Sequence, residues 1–289
     1  MTALSRATLN EIYRSHCDKN INLIDHHTKK GLRIATYNIH YWSDLYESAN
    51  FDNIISDIIK INADILCLQE VSFDYTRFNK KTHIQVMEKF KEIGYVDSLS
   101  VYGSNYIGSR YGNMILTREP MIKKSQGLLI KGNGKVKRGY CLASIKSGKS
   151  NVEVCCVHLD VFDETGITRH KQLSELLTII GAPKNNLIIC GDFNSMRTQD
   201  YSVQELNKII QNDTARKATT DTETLKQMTT YGYHSCFDHL KSPSPSCTVW
   251  SGRAIDFIFV PMDFIYNITK SEVFYTINSD HYAIYTDYI

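Results

Sequence analysis

The chain has 289 residues, 42% of them apolar and 22% charged, a balance that supports a large buried core and excludes a disordered or fibrous chain. Lysine plus arginine is 33 against 31 acids, a net charge of +2, so any grip on nucleic acid must come from a local patch. The eight cysteines include no C-x-x-C pair, and Cys67, Cys155, Cys156 and Cys190 sit inside apolar runs, where a thiol acts as a small buried hydrophobe. With no run of membrane-span length and no signal-peptide pattern, an intracellular protein with free thiols, not inserted in a membrane, is expected.

In chain order, residues 1–30 are polar, with Leu4, Leu9, Ile12 and Tyr13 near helical spacing. Asp25-His26-His27 is read as an exposed polar turn in preference to a metal-ligand pair. Residues 32–39 predict a strand, 51–61 a helix with Ile54, Ile55, Ile58 and Ile59 in one stripe, and 65–68 a second buried strand ending at Gln69-Glu70. That order is a βαβ crossover. Residues 83–93 predict a helix closed by Gly94, and 95–101 a strand. Residues 103–112, rich in Gly, Ser, Asn and Tyr, read as a loop carrying Arg110. Strands are expected at 113–117, 127–130, 140–145 and 152–159. The turn between the second and third of these holds Lys131, Lys135, Lys137 and Arg138 at a basic tip, either a solvated loop or a phosphate contact.

A helix over 169–180 precedes the most informative stretch, Leu187-Ile188-Ile189-Cys190-Gly191-Asp192-Phe193-Asn194. Four apolar residues read as a strand buried on both faces, Gly191 lets the chain turn, and Asp192 and Asn194 project to the same side. A helix is expected over 203–210, a loop over 242–246, and strands over 254–260, 272–276 and 282–286. No internal repeat interrupts this mixture of strands, helices and hairpins, which suggests stacked mixed sheets covered by helices in a single domain.

Several of these strands end in a group able to bind a metal or move a proton: Asn38, Glu70, His158, Asp192 with Asn194, Asp256 and Asp280-His281. Glu70 also fits an exposed strand end, and His158 a satisfied core histidine. Asp256 is harder to dismiss, because an acid inside the apolar run Ile255 to Val260 costs several kcal/mol unless it is paired. His281 is the natural partner, and an acid that fixes its tautomer makes a histidine a better base.

Six blocks in order, Thr36-Tyr37-Asn38, Leu68-Gln69-Glu70-Val71, His158-Leu159, Gly191-Asp192-Phe193-Asn194, Ile255-Asp256-Phe257-Ile258 and Ser279-Asp280-His281, resemble the endonuclease/exonuclease/phosphatase superfamily. The resemblance implies an α/β fold, a four-layer sandwich of two packed mixed β-sheets flanked by helices, filling residues 31–289 as one domain behind a partly helical extension at 1–30. It also implies a divalent metal, Mg²⁺ or alternatively Mn²⁺, held by Glu70 with Asn38 and Asp280 nearby. Asp192 would orient or deprotonate the attacking water, and Asn194 would hold it or a phosphate oxygen. His281, aligned by Asp256, would be an acid/base partner, and His158 would donate to a non-bridging oxygen. The apurinic-endonuclease branch carries a tyrosine in that last role, so His158 favours other branches, and the blocks are somewhat similar to tyrosyl-DNA phosphodiesterase.

Asn113 after Tyr111-Gly112, Arg169 with Gln172 as R-x-x-Q, and Trp250 with Arg253 match places where the family has substrate contacts. Arg169 also reads as a solvated helical turn and Trp250 as a packed aromatic. The implied reaction is phosphoester hydrolysis by a monomer. Nucleic acid is the first substrate class, on the basic hairpin and the tyrosines of 102–111 as stacking groups. Lipid or inositol phosphate head groups are the alternative. A non-catalytic scaffold is the remote one, disfavoured because Glu70, Asp192, Asp256 and His281 are all present.

Overall fold

β1 (Leu32–Asn38) and β2 (Ile65–Ser72) lie parallel, joined across the sheet face by α1 (Phe51–Ile61). The computed structural model describes residues 8, 11–12, 14–15, 29, 31–106, 108–132, 136–147, 150–238 and 247–289. The stripe on α1 is buried at Ile54, Ile55, Ile58 and Ile61, whereas Ile59, expected in it, faces outward, and the helix stops where Asn62 turns left-handed at φ +51°, a residue type that tolerates that conformation. α2 (His83–Glu92) opens with a reciprocal Thr82/Gln85 capping box.

The chain then folds back through β3 (Asp97–Tyr106) and β4 (Ser109–Thr117). Residues 103–112 are therefore not a loop: the two strands pair antiparallel up to Tyr106↔Ser109. Gly103 and Gly112, which suggested a loop, sit where another segment approaches closely, and Gly108 lies in the turn between the strands. With β11 (Ile268–Phe274) and β12 (Ala283–Tyr288) these strands form the first sheet, in the order β11-β12-β1-β2-β4-β3.

The second sheet is built from β5 (Met121–Leu128), β6 (Gly139–Ser147), β7 (Ser150–His158), β8 (Leu187–Asp192), β9 (Tyr233–Ser235) and β10 (Asp256–Pro261), ordered β5-β6-β7-β8-β10-β9. β7 and β8 are parallel, linked by α3 (Ile167–Ile179); the other pairs of this sheet are antiparallel. The expected strand at 127–130 is really β5, which begins at Met121: an exposed edge strand whose polar residues hide it from pattern reading. α4 (Val203–Ala215) is longer than expected, and α5 (Lys226–Thr230) and α6 (Met262–Ile265) are single turns.

Three apolar layers follow from this stacking. Ile34, Cys67, Ile115, Cys156, Cys190, Ile258 and Ile284 fill the space between the sheets. Ile54, Ile58, Leu66, Leu68, Val86 and Phe90 seat α1 and α2 on the first sheet. Leu173, Leu176, Leu177, Ile189 and Phe259 seat α3 on the second. The result is the expected sandwich of two six-stranded mixed sheets flanked by helices. Cys67, Cys141, Cys155, Cys156, Cys190 and Cys236 are free, buried thiols.

Among the described residues no helix is long and apolar enough to cross a membrane. The expected helix near 4–13 lies largely outside the described residues, although Thr8, Glu11, Ile12, Arg14 and Ser15 are helical. Asp25-His26-His27, Lys135 and the loop at 242–246 also lie outside them.

Candidate active site

Each sheet holds one parallel pair, and the C-terminal ends of those pairs carry Asn38 and Glu70 in one sheet and His158 and Asp192 in the other. Ligand sites in α/β sheets favour such ends. β10 runs opposite to β8, so its first residue, Asp256, stands directly across from Asp192. β12 runs opposite to β1, which brings the residues just before it to the same end. There the Ser279 hydroxyl donates to the Asn38 carbonyl at 2.8 Å.

Asp192 is the hub. Its Oδ1 accepts from the Asn194 backbone N–H (2.9 Å) and its Oδ2 from Asn38 Nδ2 (3.0 Å). His158 Nε2 lies 3.3 Å and His281 Nε2 3.8 Å from that same Oδ2. His281 Nδ1 donates to Asp256 Oδ2 at 2.9 Å, and the Thr248 hydroxyl donates to the same oxygen at 2.7 Å. Thr248 Oγ1 in turn accepts from the backbone N–H of Ile255 and Asp256.

Burial, then the charge of Asp256, pushes the Asp192 carboxyl up to about 7, against the opposing pull of His281 and the donors from Asn194 and Asn38. Burial works against the charged form of His281, but Asp256, Asp280 and Asp192 outweigh it and raise that imidazole well above its usual range. The expected partnership of Asp256 with His281 is therefore present.

Gly191 permits the turn into this hub. Its φ is +145°, and an added Cβ would come within 1.8 Å of the Val157 carbonyl. Asn194 follows at φ +48°. Its Nδ2 donates to the Leu159 carbonyl at 3.2 Å and lies 3.2 Å from His158 Nε2.

Glu70 lies in a break of the β2–β4 register between Leu68 and Val71, at φ +59°. A non-glycine residue in that region is strained, and such strain clusters at working sites. The buried Tyr111 phenol interacts with both Glu70 and Arg138, and its ionisation is pushed well up by burial, then by the charge of Glu70. Asp280 is partly exposed, with Oδ1 3.6 Å from His40 Nδ1. Asp192, Asp256 and His281 place one possible ligand atom each within 4.8 Å of one another, a group able to hold a metal ion.

The four residues expected to touch substrate fare differently. Asn113 is buried beside Arg138 and His158 in a narrow crevice and donates to the Gly139 carbonyl at 2.9 Å. Trp250 joins the site through its backbone, its N–H donating to the Asp280 carbonyl at 3.1 Å. Arg253 donates to Asp213 of α4. Arg169 is no solvated turn: it is buried, with Nε 2.8 Å from Asp221 Oδ2 and Nη1 donating to the Asp160 carbonyl. Gln172 likewise ties the Ile130 carbonyl and the Asp160 N–H to α3.

Sequence reasoning missed Thr248 and the true places of Tyr111, expected as a stacking group but buried, and of Arg138. Arg138 is not at a solvated tip. It is 4% exposed, with Nη1 3.1 Å from His158 Nδ1. Its neighbour Gly139, which begins a buried strand, was the available signal.

Residues 35–281 match the family model described as "Endonuclease/Exonuclease/phosphatase family". No curated protein matches the chain in sequence. Solved structures similar in fold include a 3′ phosphatase from Neisseria bound to product DNA hairpin (14% identity, TM-score 0.64, covering 90% of this chain and 100% of that one). The human Nocturnin catalytic domain (16%, 0.61, 91% and 95%) and a mannosyl-6-phosphatase from Bacteroides thetaiotaomicron (15%, 0.60, 90% and 100%) are also similar. With the ordered site residues and the two-sheet sandwich, the match over most of its length shows that this chain belongs to the endonuclease/exonuclease/phosphatase family.

Proposed function

We propose that this member of a family of divalent-metal-dependent phosphoester hydrolases cleaves phosphodiesters of nucleic acid, with Mg²⁺ as its metal. The observation that carries the hydrolytic reading is the buried line Asp256–His281–Asp192–His158, with Asn38 and Asn194 bonded into it.

Glu70, with Asn38 and Asp280, is the set we assign to the metal. Mg²⁺ takes oxygen ligands and keeps several waters; Glu70 and Asp280 are partly exposed, whereas Asp192 and Asp256 are buried and His281 Nδ1 is engaged by Asp256. When bound, the cation offsets charge on the phosphoryl and leaving oxygens. Asp192, its oxygens oriented by Asn38 and Asn194, takes the proton of the attacking water. His281, kept protonated by the surrounding aspartates, presents an N–H on Nε2 to the phosphoryl group. His158 donates from the opposite side and stabilises the charge that develops on a non-bridging phosphoryl oxygen.

Support for nucleic acid comes from the exposed Lys131 and Lys137 near His158's strand and the exposed Tyr102 on β3, and from the DNA named with the Neisseria structure. A second reading, a small phosphomonoester or a lipid or inositol head group, is favoured by the inward commitments of Arg138, Arg169 and Arg253. These remove three guanidiniums from any backbone-binding surface. The sugar phosphatase among the structural neighbours fits that reading too.

The test is turnover of single- and double-stranded DNA, RNA, a 5′-phosphotyrosyl oligonucleotide, sphingomyelin, inositol phosphates and a hexose 6-phosphate, with Mg²⁺ and with chelator. Metal-dependent cleavage of an oligonucleotide is the expected result. Turnover limited to the small or lipid phosphates overturns the nucleic-acid assignment, and turnover unaffected by chelator overturns the metal assignment.

A further inference from the structure

Among the described residues four arginines are buried: Arg33, Arg138, Arg169 and Arg197. Three of them pair with a carboxylate, Asp287, Asp221 and Asp200 respectively, as a buried guanidinium ordinarily must. Arg138 instead faces the His158 imidazole and interacts with the Tyr111 phenol. Its Nε is buried without a hydrogen bond among the described residues. An arginine held there for stability alone would be an expensive choice, so its chemistry toward His158 is what needs explaining.

An arginine carries only donors and keeps its charge. At 3.1 Å from Arg138 Nη1, His158 Nδ1 must therefore be the acceptor. Burial, then the charges of Arg138 and His281, hold this ring well below the usual histidine range, so it is neutral and has a single N–H. With Nδ1 accepting, that proton sits on Nε2, the nitrogen 3.3 Å from Asp192 Oδ2. Asn194 Nδ2, a donor 3.2 Å from Nε2, would favour the opposite tautomer, so the permanently charged arginine on Nδ1, together with Asp192 Oδ2 accepting on the other side, decides for Nε2–H.

The backbone is shaped to deliver the guanidinium. A Cβ on Gly103 of β3 would come within 1.7 Å of the Lys137 carbonyl, and one on Gly139 would meet Val101 at 2.9 Å. Both glycines let the segment ahead of β6 lie directly on the other sheet, which is where Arg138 must start to reach His158.

We propose that Arg138 is a positioning residue that locks His158 as the neutral Nε2–H tautomer, with its single proton on the side of Asp192, where the phosphoester reading places the reacting group, and that Tyr111 links this lock to Glu70. The catalytic half of this claim rests on the phosphoester reading above; the tautomer half does not.

The experiment combines ¹⁵N NMR of the His158 ring in the full chain with Mg²⁺, which needs no substrate, and steady-state hydrolysis of bis(4-nitrophenyl) phosphate. Wild type is expected to show a protonated Nε2 and a bare Nδ1. R138M is expected to lose that preference and to drop kcat about tenfold to a hundredfold, the range for groups that orient a working ligand, with KM little changed. R138K, which also offers only donors, should restore both. Y111F should weaken the tautomer preference without abolishing it.

A wild-type ring protonated on Nδ1 overturns the proposal. So does an R138M protein with an unchanged tautomer, or one with a changed tautomer and wild-type kcat. If R138M does not fold, the wild-type and R138K spectra decide between the two tautomers. If wild type hydrolyses no phosphoester, the function assignment fails while the ring measurement still settles what Arg138 does.

Discussion

Asp192 and Asp256 stand face to face in the β8–β10 ladder, two buried carboxylates on adjacent antiparallel strands. Like charges in that position repel, and the fold answers by laying the His281 imidazole against both: Nδ1 on Asp256 at 2.9 Å, Nε2 3.8 Å from Asp192. A cation shared between two acids keeps Asp256 an orienting group and leaves Asp192 poised near neutrality.

If that division of labour is right, His281→Ala and Glu70→Ala each lower turnover at least about a hundredfold. Steady-state rates with circular dichroism as the folding control check this. A folded variant with near-normal rates would refute the role given to that residue.

Gly191→Ala should fail structurally. The added methyl collides with the Val157 carbonyl, and φ +145° suits no alanine. A loss on the order of 3 kcal/mol is expected, read from urea denaturation midpoints. A loss under about 0.5 kcal/mol would show that the turn relaxes freely.

Arg33 and Asp287 form a two-pronged pair, Nε to Oδ1 at 2.6 Å and Nη2 to Oδ2 at 2.8 Å, almost wholly buried at the other end of β1 and β12. Asp287→Ala leaves the guanidinium without its carboxylate and should cost about 3–5 kcal/mol. Because the pair is remote from Asn38 in the same strand register, kcat of the folded fraction should be unchanged. A mutant with full stability, or with a selective loss of kcat, contradicts this.

The neutral His158 makes a pH prediction. Burial first, then Arg138 and His281, depress its folded-state value below the ordinary 6.5. On acidification the unfolded chain therefore takes up this proton first. The stability tied to His158 is fully present above about 6.5 and is lost as pH falls below it. His158→Gln should remove that component, so denaturation midpoints of the variant fall less than those of wild type between about pH 7 and pH 5. Parallel curves would mean that His158 does not titrate between the two states.

How much of this was legible in the residues depends on where the interaction partner lies. α1 was readable because Ile54, Ile55 and Ile58 form a local stripe with its own stop at Asn62. β8 was readable because four apolar residues run into Gly191. β5 was not, because an edge strand with exposed Lys123, Lys124 and Gln126 has no buried face to mark its period. Residues 103–112 read as a loop because Gly103 and Gly112 serve close approaches by Lys137 and Val101, segments far away in sequence or across the ladder. Arg138, Arg169 and Arg253 read as substrate or solvent contacts because nothing in their neighbourhoods names the groups that hold them.

The order and residue types of the strand-end groups were enough to nominate Asn38, Glu70, His158, Asp192, Asp256 and His281 and to carry the family resemblance that implied the two-sheet sandwich, since chemistry at a strand end is written in consecutive letters. Only the packed chain decided that Asp192 is the hub, that Thr248 bonds the same Asp256 oxygen that holds His281, and that an arginine 20 residues upstream reaches His158. Those partners are chosen by strand register and by the narrow gap between two sheets, quantities that exist only once distant segments have been brought together.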